Sequence, residues 1–327
     1  MQKNVLKSGI ELSELGLGCM SLGTEENKAE EIIDAAVTAG ITYFDTADIY
    51  DQGVNEKIVG RTLKKYQNRD DIVIGTKVGN HLKENGETFW DPSKRYIKGN
   101  VKNSLQRLGL DTLDLYMLHG GTIDDPLDET ISAFDELKQE GVIRAYGLSS
   151  IRPNVIRYYL QYSQIETLMT QFNLIDNRPI DLLDEVQDKG VKLLARGPVF
   201  KGLLTPSAEK VLTTKFAEGI FDYDHHALKE TVTALQQMNP ELTGLAFNYL
   251  KSFDVLGSII VGASSVEQLQ QNVTHYHQEV NPAHLEQASD IVKHLHYAQH
   301  WEMPNSYSFF PKKKGRPIFS KKRGASW

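Results

Sequence analysis

Asp45, Tyr50, Lys77 and His119 are a carboxylate, a phenol, an ammonium and an imidazole, each at or just past the end of a short apolar run. Together they could reduce a carbonyl, which takes a hydride at carbon and a proton at oxygen. A tyrosine hydroxyl can give that proton, although an ordinary pKa of about 10 makes it a reluctant acid. A neighbouring ammonium favours the phenolate and eases proton release. Lys77 has the charge for that task, and Asp45 can hold Lys77 charged and in place. His119 can orient the carbonyl oxygen and donate a hydrogen bond as negative charge develops. Singly, each has a plainer reading: a turn or cap aspartate, a lysine snorkelling from a strand end, a scaffold histidine, a packed tyrosine.

The elements that carry them decide between these readings. Short apolar runs read as strands at Leu15–Met20, Thr42–Asp45, Ile72–Lys77, Leu113–His119, Ala145–Ser149, Thr167–Gln171, Val191–Arg196 and Ser258–Gly262. Continuous runs such as Leu113 to Leu118 suit parallel strands covered on both faces. Amphipathic helices fit between them at Ala29–Ala39, Tyr96–Leu108, Ile131–Lys138 and Leu182–Val186, with Gly40, Gly109, Gly141 and Gly190 as stops. This grammar predicts an α/β fold, a (β/α)8 TIM barrel, with an N-terminal β-hairpin from Asn4 to Leu12 capping the barrel floor. One domain is expected over residues 1–310, then a basic tail over 311–327. Barrel chemistry sits at the C-terminal ends of the strands. Asp45, Lys77 and His119 end three successive strands, and Tyr50 lies in the loop just above Asp45.

A Rossmann site would show G-x-G-x-x-G between strand and helix. Gly16-Leu17-Gly18, with the next glycine at Gly23, has the wrong spacing, so a nucleotide would bind by another route.

At these residues the sequence resembles bacterial members of the aldo-keto reductase family. Phe44-Asp45-Thr46-Ala47-Asp48-Ile49-Tyr50 is similar to the family's F-D-T-A-x-x-Y segment, and Glu56 and Gly60 continue it. Gly75-Thr76-Lys77 resembles the strand-three lysine motif and Asp114 to His119 the strand-four motif; the likeness runs from about Leu12 to Asn272. Gly120-Gly121 depart from the more usual H-x-x-D continuation. The resemblance implies reversible reduction of aldehydes or ketones to alcohols, with hydride from NADPH, NADH being the alternative cofactor. It implies a dinucleotide extended across the mouth beside Gly18, Cys19, Met20 and Asp45. Ser149, Ser150 and Gln171 would grip the carboxamide, with Ser150 where asparagine is frequent. Arg196 would lie against the nicotinamide, where many members place an aromatic ring. Gly197, Pro198, Val199, Lys201 and Gly202 would line the pyrophosphate. Gly262, Ser264, Ser265, Gln268 and Asn272 would meet the adenosine end, where a helix N-terminus suits a 2′-phosphate. Gly262 and Gln268 stand where stronger phosphate binders carry Lys and Arg, which limits the preference for NADPH. Met20, Tyr50, Phe89, Trp90, Trp301, Tyr307, Phe309 and Phe310 are candidates for the substrate wall.

Two rivals accompany this reading: a nucleotide-binding sensor or regulatory subunit with little turnover, and a barrel lyase or isomerase using Lys77 as a Schiff base. No acidic cluster or histidine spacing suggests a catalytic metal. The chain carries 36 basic and 43 acidic residues. Seven of the basic ones (Lys312, Lys313, Lys314, Arg316, Lys321, Lys322 and Arg323) crowd the C-terminus, so the body is acidic, which argues against nucleic acid as a partner. The partner expected is a small carbonyl compound. No apolar run reaches the ~18 residues of a spanning helix, and no signal peptide precedes the first strand. Cys19 is the only cysteine, so no intrachain disulfide forms, and a cytoplasmic setting is expected.

Overall fold

In the computed structural model, residues 1–66, 71–83 and 87–303 are described. Tyr307, Phe309, Phe310 and the tail lie outside them, as does the boundary expected at residue 310.

The chain opens with an antiparallel hairpin, β1 (Lys3–Val5) and β2 (Glu11–Ser13). The strands β3 (Leu15–Gly18), β4 (Tyr43–Asp45) and β5 (Val73–Val78) follow. A second hairpin, β6 (Asn80–Leu82) and β7 (Thr88–Trp90), interrupts the series. It continues with β8 (Leu113–Leu118), β9 (Ile143–Ser149), β10 (Thr167–Gln171), β11 (Lys192–Arg196) and β12 (Leu256–Gly262). The strands β3, β4, β5, β8, β9, β10, β11 and β12 pair in that order, all parallel, and β12 closes on β3. The expected (β/α)8 barrel is therefore the fold.

Helices cover the outside: α1 (Glu26–Thr38), α2 (Val54–Leu63), α3 (Lys94–Leu108), α4 (Leu127–Gln139), α5 (Pro153–Tyr162) and α6 (Ile180–Asp188). The seventh connection carries α7 (Ala208–Lys215), α8 (His225–Met238) and α9 (Leu242–Lys251); α10 (Val266–His277) and α11 (Pro282–Ile291) follow β12. Local chemistry sets the ends. In α1 the Glu25 side chain accepts from the N–H groups of Asn27 and Lys28, and Ala29, Ile32, Ile33, Ala36 and Val37 are buried at helical spacing. Burying each large one fully contributes roughly 1.5–3 kcal/mol. Ser93 caps α3, and Gly109, at φ 68°, ends it in the left-handed conformation that glycine adopts without a Cβ penalty.

Two apolar cores result, one on each side of the strand ring. Outward residues such as Leu17, Phe44, Ile74, Tyr116 and Leu148 pack against the helices. Inward residues Tyr43, Val73, Leu115, Met117, Ala145, Met169, Leu194 and Ile260 form a second cluster, which Leu6, Ile10 and Leu12 of the first hairpin close from below. Asn4 Nδ2 donates to the Gly257 carbonyl at 3.0 Å and fastens the hairpin to β12.

The structure differs from expectation mainly at boundaries. The first barrel strand ends at Gly18, where its pairing with β12 and β4 stops, and Cys19 and Met20 form a 3₁₀ turn. His119 stands one residue beyond β8, its N–H still bonded to the Val78 carbonyl at 2.8 Å. The β6–β7 hairpin is not among the runs that read as strands; its pairing spans a break in the sequence that local apolar pattern does not signal.

Candidate active site

Side chains alternate across a strand, so the inward core fixes which strand ends face the barrel mouth. Counting up in twos from its members reaches Asp45 on β4, Lys77 on β5, His119 past β8, Ser149 on β9, Gln171 on β10, Arg196 on β11 and Gly262 on β12. On β3, outward Leu15 and Leu17 leave Gly16 and Gly18 inward. The eight strand ends singled out from sequence thus converge on one mouth.

Beneath it lies a buried ion pair. Lys77 Nζ donates to Asp45 Oδ2 at 2.6 Å and to the Thr46 carbonyl at 2.6 Å. Lys77 is only 1% exposed. Burial works against its charge, yet the attraction of Asp45 and Tyr50 leaves the ammonium held above its ordinary pKa. Burial pushes the Asp45 carboxyl up, and Lys77 pulls it back. Lys77 Nζ lies 5.3 Å from the Tyr50 ring centroid, and the Tyr50 and His119 rings meet edge to face at 6.1 Å. Burial raises the Tyr50 phenol, while the charge of Lys77 acts in the opposite sense. Tyr50 is therefore protonated at neutral pH with an ammonium against it. Burial, then Lys77 and Arg196, push His119 down to about 3, so its imidazole is neutral. Its Nδ1 is buried with no hydrogen-bond partner among the described residues.

Several supporting residues were not legible in advance. Tyr43, one inward step below Asp45, donates its hydroxyl to Asp45 Oδ1 at 3.3 Å. Its ring is seated because Gly16 and Gly75 have no side chain: a Cβ there would stand 2.8 and 2.6 Å from Tyr43 atoms. Thr46 Oγ1 donates to Asn55 Oδ1 at 2.7 Å, and Asn55 Nδ2 donates to the Cys19 carbonyl at 2.8 Å, which ties the β4 loop to the β3 loop. After Tyr50 the chain runs left-handed through Asp51 (φ 47°), Gln52 (φ 56°) and Gly53 (φ 84°). Non-glycine residues held there cost of order 1–3 kcal/mol each, strain that concentrates at functional turns. Alternation along the strands would have found Tyr43; nothing local announces the turn.

The β6–β7 hairpin brings Trp90 to the same end. Its Nε1 donates to both carboxylate oxygens of Asp125 at 3.0 Å. Its ring lies against Gly79 and Gly120, where a Cβ would approach to 2.6 and 3.3 Å. Gly120, odd in the sequence motif, is thereby explained as the seat of the indole. Phe89 and Met20 are exposed beside the mouth loops, and Trp301 stacks its ring on the Arg157 guanidinium.

The remaining predicted positions fall as follows. Ser149 and Ser150 are buried at the end of β9, and Ser150 Oγ accepts from the Arg152 N–H at 3.2 Å. Gln171 donates its amide to Asp176 Oδ2 at 2.8 Å; Asp176, fully buried, also accepts from Arg178 at 2.6 and 2.8 Å. That bond uses one of the two amide hydrogens and sets the orientation in which the Gln171 carbonyl oxygen is left as an acceptor. Arg196 is exposed. Gly197 and Gly202 take φ 65° and 95°, and Phe200 and Lys201 are left-handed between them; Pro198 is buried and Val199 half-buried. Ser265 caps α10 by accepting from the Gln268 N–H at 3.2 Å. Gln268 Oε1 accepts from Ser264 N–H and Oγ at 2.8 and 3.1 Å, and Asn272 Nδ2 donates to the Gly262 carbonyl at 3.2 Å. Cys19 is buried with Sγ toward the Leu17 carbonyl, and burial raises its thiol. The set fits a nicotinamide dinucleotide: an amide acceptor for a carboxamide, a loop of exposed turns, and a helix N-terminus for a phosphate.

Comparison with known proteins agrees. The pattern of the Aldo/keto reductase family matches residues 14–293, and the chain belongs to that family. It is 48% identical over 270 residues to the oxidoreductase YqkF of Bacillus subtilis (strain 168), spanning 81% of this chain and 88% of that protein. It is 31% identical over 294 residues to the NADH-specific methylglyoxal reductase of Escherichia coli (strain K12), spanning 81% of this chain and 90% of that one. The holo form of aldo-keto reductase AKR11C1 from Bacillus halodurans superposes with a TM-score of 0.86 at 46% identity, covering 92% of this chain and all of that one. The chain is thus an oxidoreductase of the kind that acts on carbonyl or CH–OH groups with a nicotinamide cofactor. Among the described residues no helix is long and apolar enough to cross a membrane.

Proposed function

We propose that this enzyme reduces aldehydes or ketones to alcohols, reversibly, in the cytoplasm, with NADPH as hydride source and Tyr50 as proton donor. The observation that carries the reading is the buried Lys77–Asp45 pair against the Tyr50 ring, with neutral His119 edge to face with the same ring. When bound, the reduced nicotinamide supplies the hydride to the carbonyl carbon. Tyr50 transfers its hydroxyl proton to the carbonyl oxygen, and the phenolate left behind faces the Lys77 ammonium. Asp45 and the Thr46 carbonyl hold that ammonium in place, and Tyr43 steadies Asp45. His119 hydrogen-bonds the carbonyl oxygen and, being neutral, does not compete as the acid. Gln171, fixed by Asp176, accepts from the carboxamide NH₂, with Ser149 and Ser150 alongside. An imine-forming lysine must be neutral to attack, and the raised pKa of Lys77 disfavours the Schiff-base alternative.

For the 2′-phosphate, the α10 N-terminus with Ser264 and Ser265 is the proposed seat. One observation favours NADH as a second reading: Gln268 already satisfies Ser264, and Glu267 stands in the first turn of α10. The expected preference for NADPH is therefore small.

The test is oxidation of NADPH and NADH against a panel of aldehydes and ketones, with wild type and Tyr50→Phe. Carbonyl-dependent turnover should fall about 10²–10⁴-fold in the variant, the contribution of one general acid, while cofactor binding by fluorescence titration is unchanged. Cofactor binding without turnover on any carbonyl would instead favour a sensor, and near wild-type turnover by Tyr50→Phe would sink the mechanism.

A further inference from the structure

Around the start of α6, in the helical layer outside the strand ring, three metal-ligating side chains converge. His294 and His296 lie two apart in the segment after α11, and Asp181 lies in the first turn of α6, 115 residues before His296. His296 Nδ1 is 2.8 Å from Asp181 Oδ2, and His294 Nε2 is 3.6 Å from Asp181 Oδ1. The three ligand atoms lie within 4.8 Å of one another. In a tetrahedral zinc centre with N and O ligands at about 2.0–2.1 Å, neighbouring ligand atoms stand about 3.4 Å apart, so modest side-chain rotation would close the set. The imidazole rings face one another at 4.6 Å between centroids.

The backbone under the cluster is held from both directions. Asn177, buried four residues before Asp181, donates its amide to the Lys293 carbonyl at 2.9 Å and accepts from the Leu295 N–H at 2.8 Å. His294 is therefore pinned on either side to Asn177, in the loop that leads into α6 and Asp181. Leu295 is buried, and the Lys293 side chain turns to the Asp222 carbonyl and the Tyr223 ring. His294 and His296 remain solvent-accessible. Two imidazoles and one carboxylate, with room for water, match borderline divalent ions such as zinc, cobalt or nickel. Magnesium and calcium prefer all-oxygen sites.

We infer that Asp181, His294 and His296 form a binding site for a divalent transition-metal ion, which staples the segment after α11 to the start of α6. The histidine pair alone gave no ligand set in the sequence, because its carboxylate comes from the far side of the chain. The site is independent of the proposed catalysis. The full chain, without a histidine tag and stripped by chelator, is titrated calorimetrically with Zn²⁺ and with Mg²⁺, and Co²⁺ is followed by its visible absorption. One Zn²⁺ per chain should bind and raise the melting temperature, with no comparable response to Mg²⁺. Altering even an outer-shell partner of a metal typically costs 10–100-fold in affinity, so His294→Ala and His296→Ala should each weaken binding by more than about tenfold. Both variants should keep wild-type reductase turnover. Failure to bind Zn²⁺ below ~1 mM, weaker than any dedicated structural site, would overturn the inference, as would one-to-one binding that survives the double variant unchanged.

Discussion

Tyr50 and Lys77 are expected to act on one proton transfer, and this has a measurable signature. Lys77→Met keeps most of the volume and removes the charge that faces the phenolate. The double variant Tyr50→Phe/Lys77→Met should therefore lose much less in kcat than the product of the two single losses, as residues acting as a unit do. Multiplicative losses would separate their roles. At the other end of the cofactor, Gln268→Arg both frees the Ser264 N–H that Gln268 now occupies and adds a fixed charge. It should tighten NADPH and leave NADH nearly unchanged, since only the 2′-phosphate gains a charge-assisted bond. Equal tightening of both, measured by fluorescence titration, would place the phosphate elsewhere. At this scale the tetrad was legible in the sequence because residue type and strand-end position coincide. Tyr43 could have been found by alternation along its own strand, two residues before Asp45, whereas Asp176 could not, because a carboxylate behind an amide leaves no mark until the loop is folded.

Among the elements, the β6–β7 hairpin depends most on its seat. A Cβ at Gly79 would approach Trp90 to 2.6 Å, and φ 124° there suits only glycine. Gly79→Ala should displace the hairpin and raise KM for carbonyl substrates several-fold while cofactor affinity holds; an equal loss of cofactor binding would show that the whole mouth had moved. Barrel strands and their helices were readable because each strand is a short apolar run and each helix an apolar stripe ending at glycine. The hairpin was not, for its pairing joins Asn80–Leu82 to Thr88–Trp90 across intervening polar residues, and its stability rests on Trp90, Asp125 and two distant glycines. The 3₁₀ turn at Cys19–Ser21 was misread as strand for a related reason: apolar residues continue past the point where the ladder ends.

For the whole molecule, two buried groups set opposing pH dependences. Burial and Glu56 push Asp48 up to about 7, so between pH 3.8 and about 7 the folded chain holds a proton that the unfolded chain releases, and stability falls as pH rises. His119 is pushed down to about 3, so below pH 6.5 the unfolded chain takes a proton that the folded one refuses, and stability falls as pH drops. The two slopes oppose each other over most of the acid range. Asp48→Asn removes the first alone. Its stability, measured by denaturant unfolding, should exceed wild type by more at pH 8 than at pH 5, by at most about 3 kcal/mol, since about two units of the shift lie between pH 5 and the folded pKa. A gain independent of pH would mean that Asp48 is ionised throughout.

The two cores on either side of the strand ring have a consequence for mutational tolerance. Outward rows bind the helices and the lower inward rows fill the barrel, so the inward row ends at Gly18, Asp45, Lys77, His119, Ser149, Gln171, Arg196 and Gly262 contribute little to either. A library randomised at Gln171, Arg196 and Gly262, with the buried Lys77–Asp45 pair kept, should retain many members that fold while most change in cofactor binding. The scaffold can thus exchange its chemistry without renegotiating its architecture.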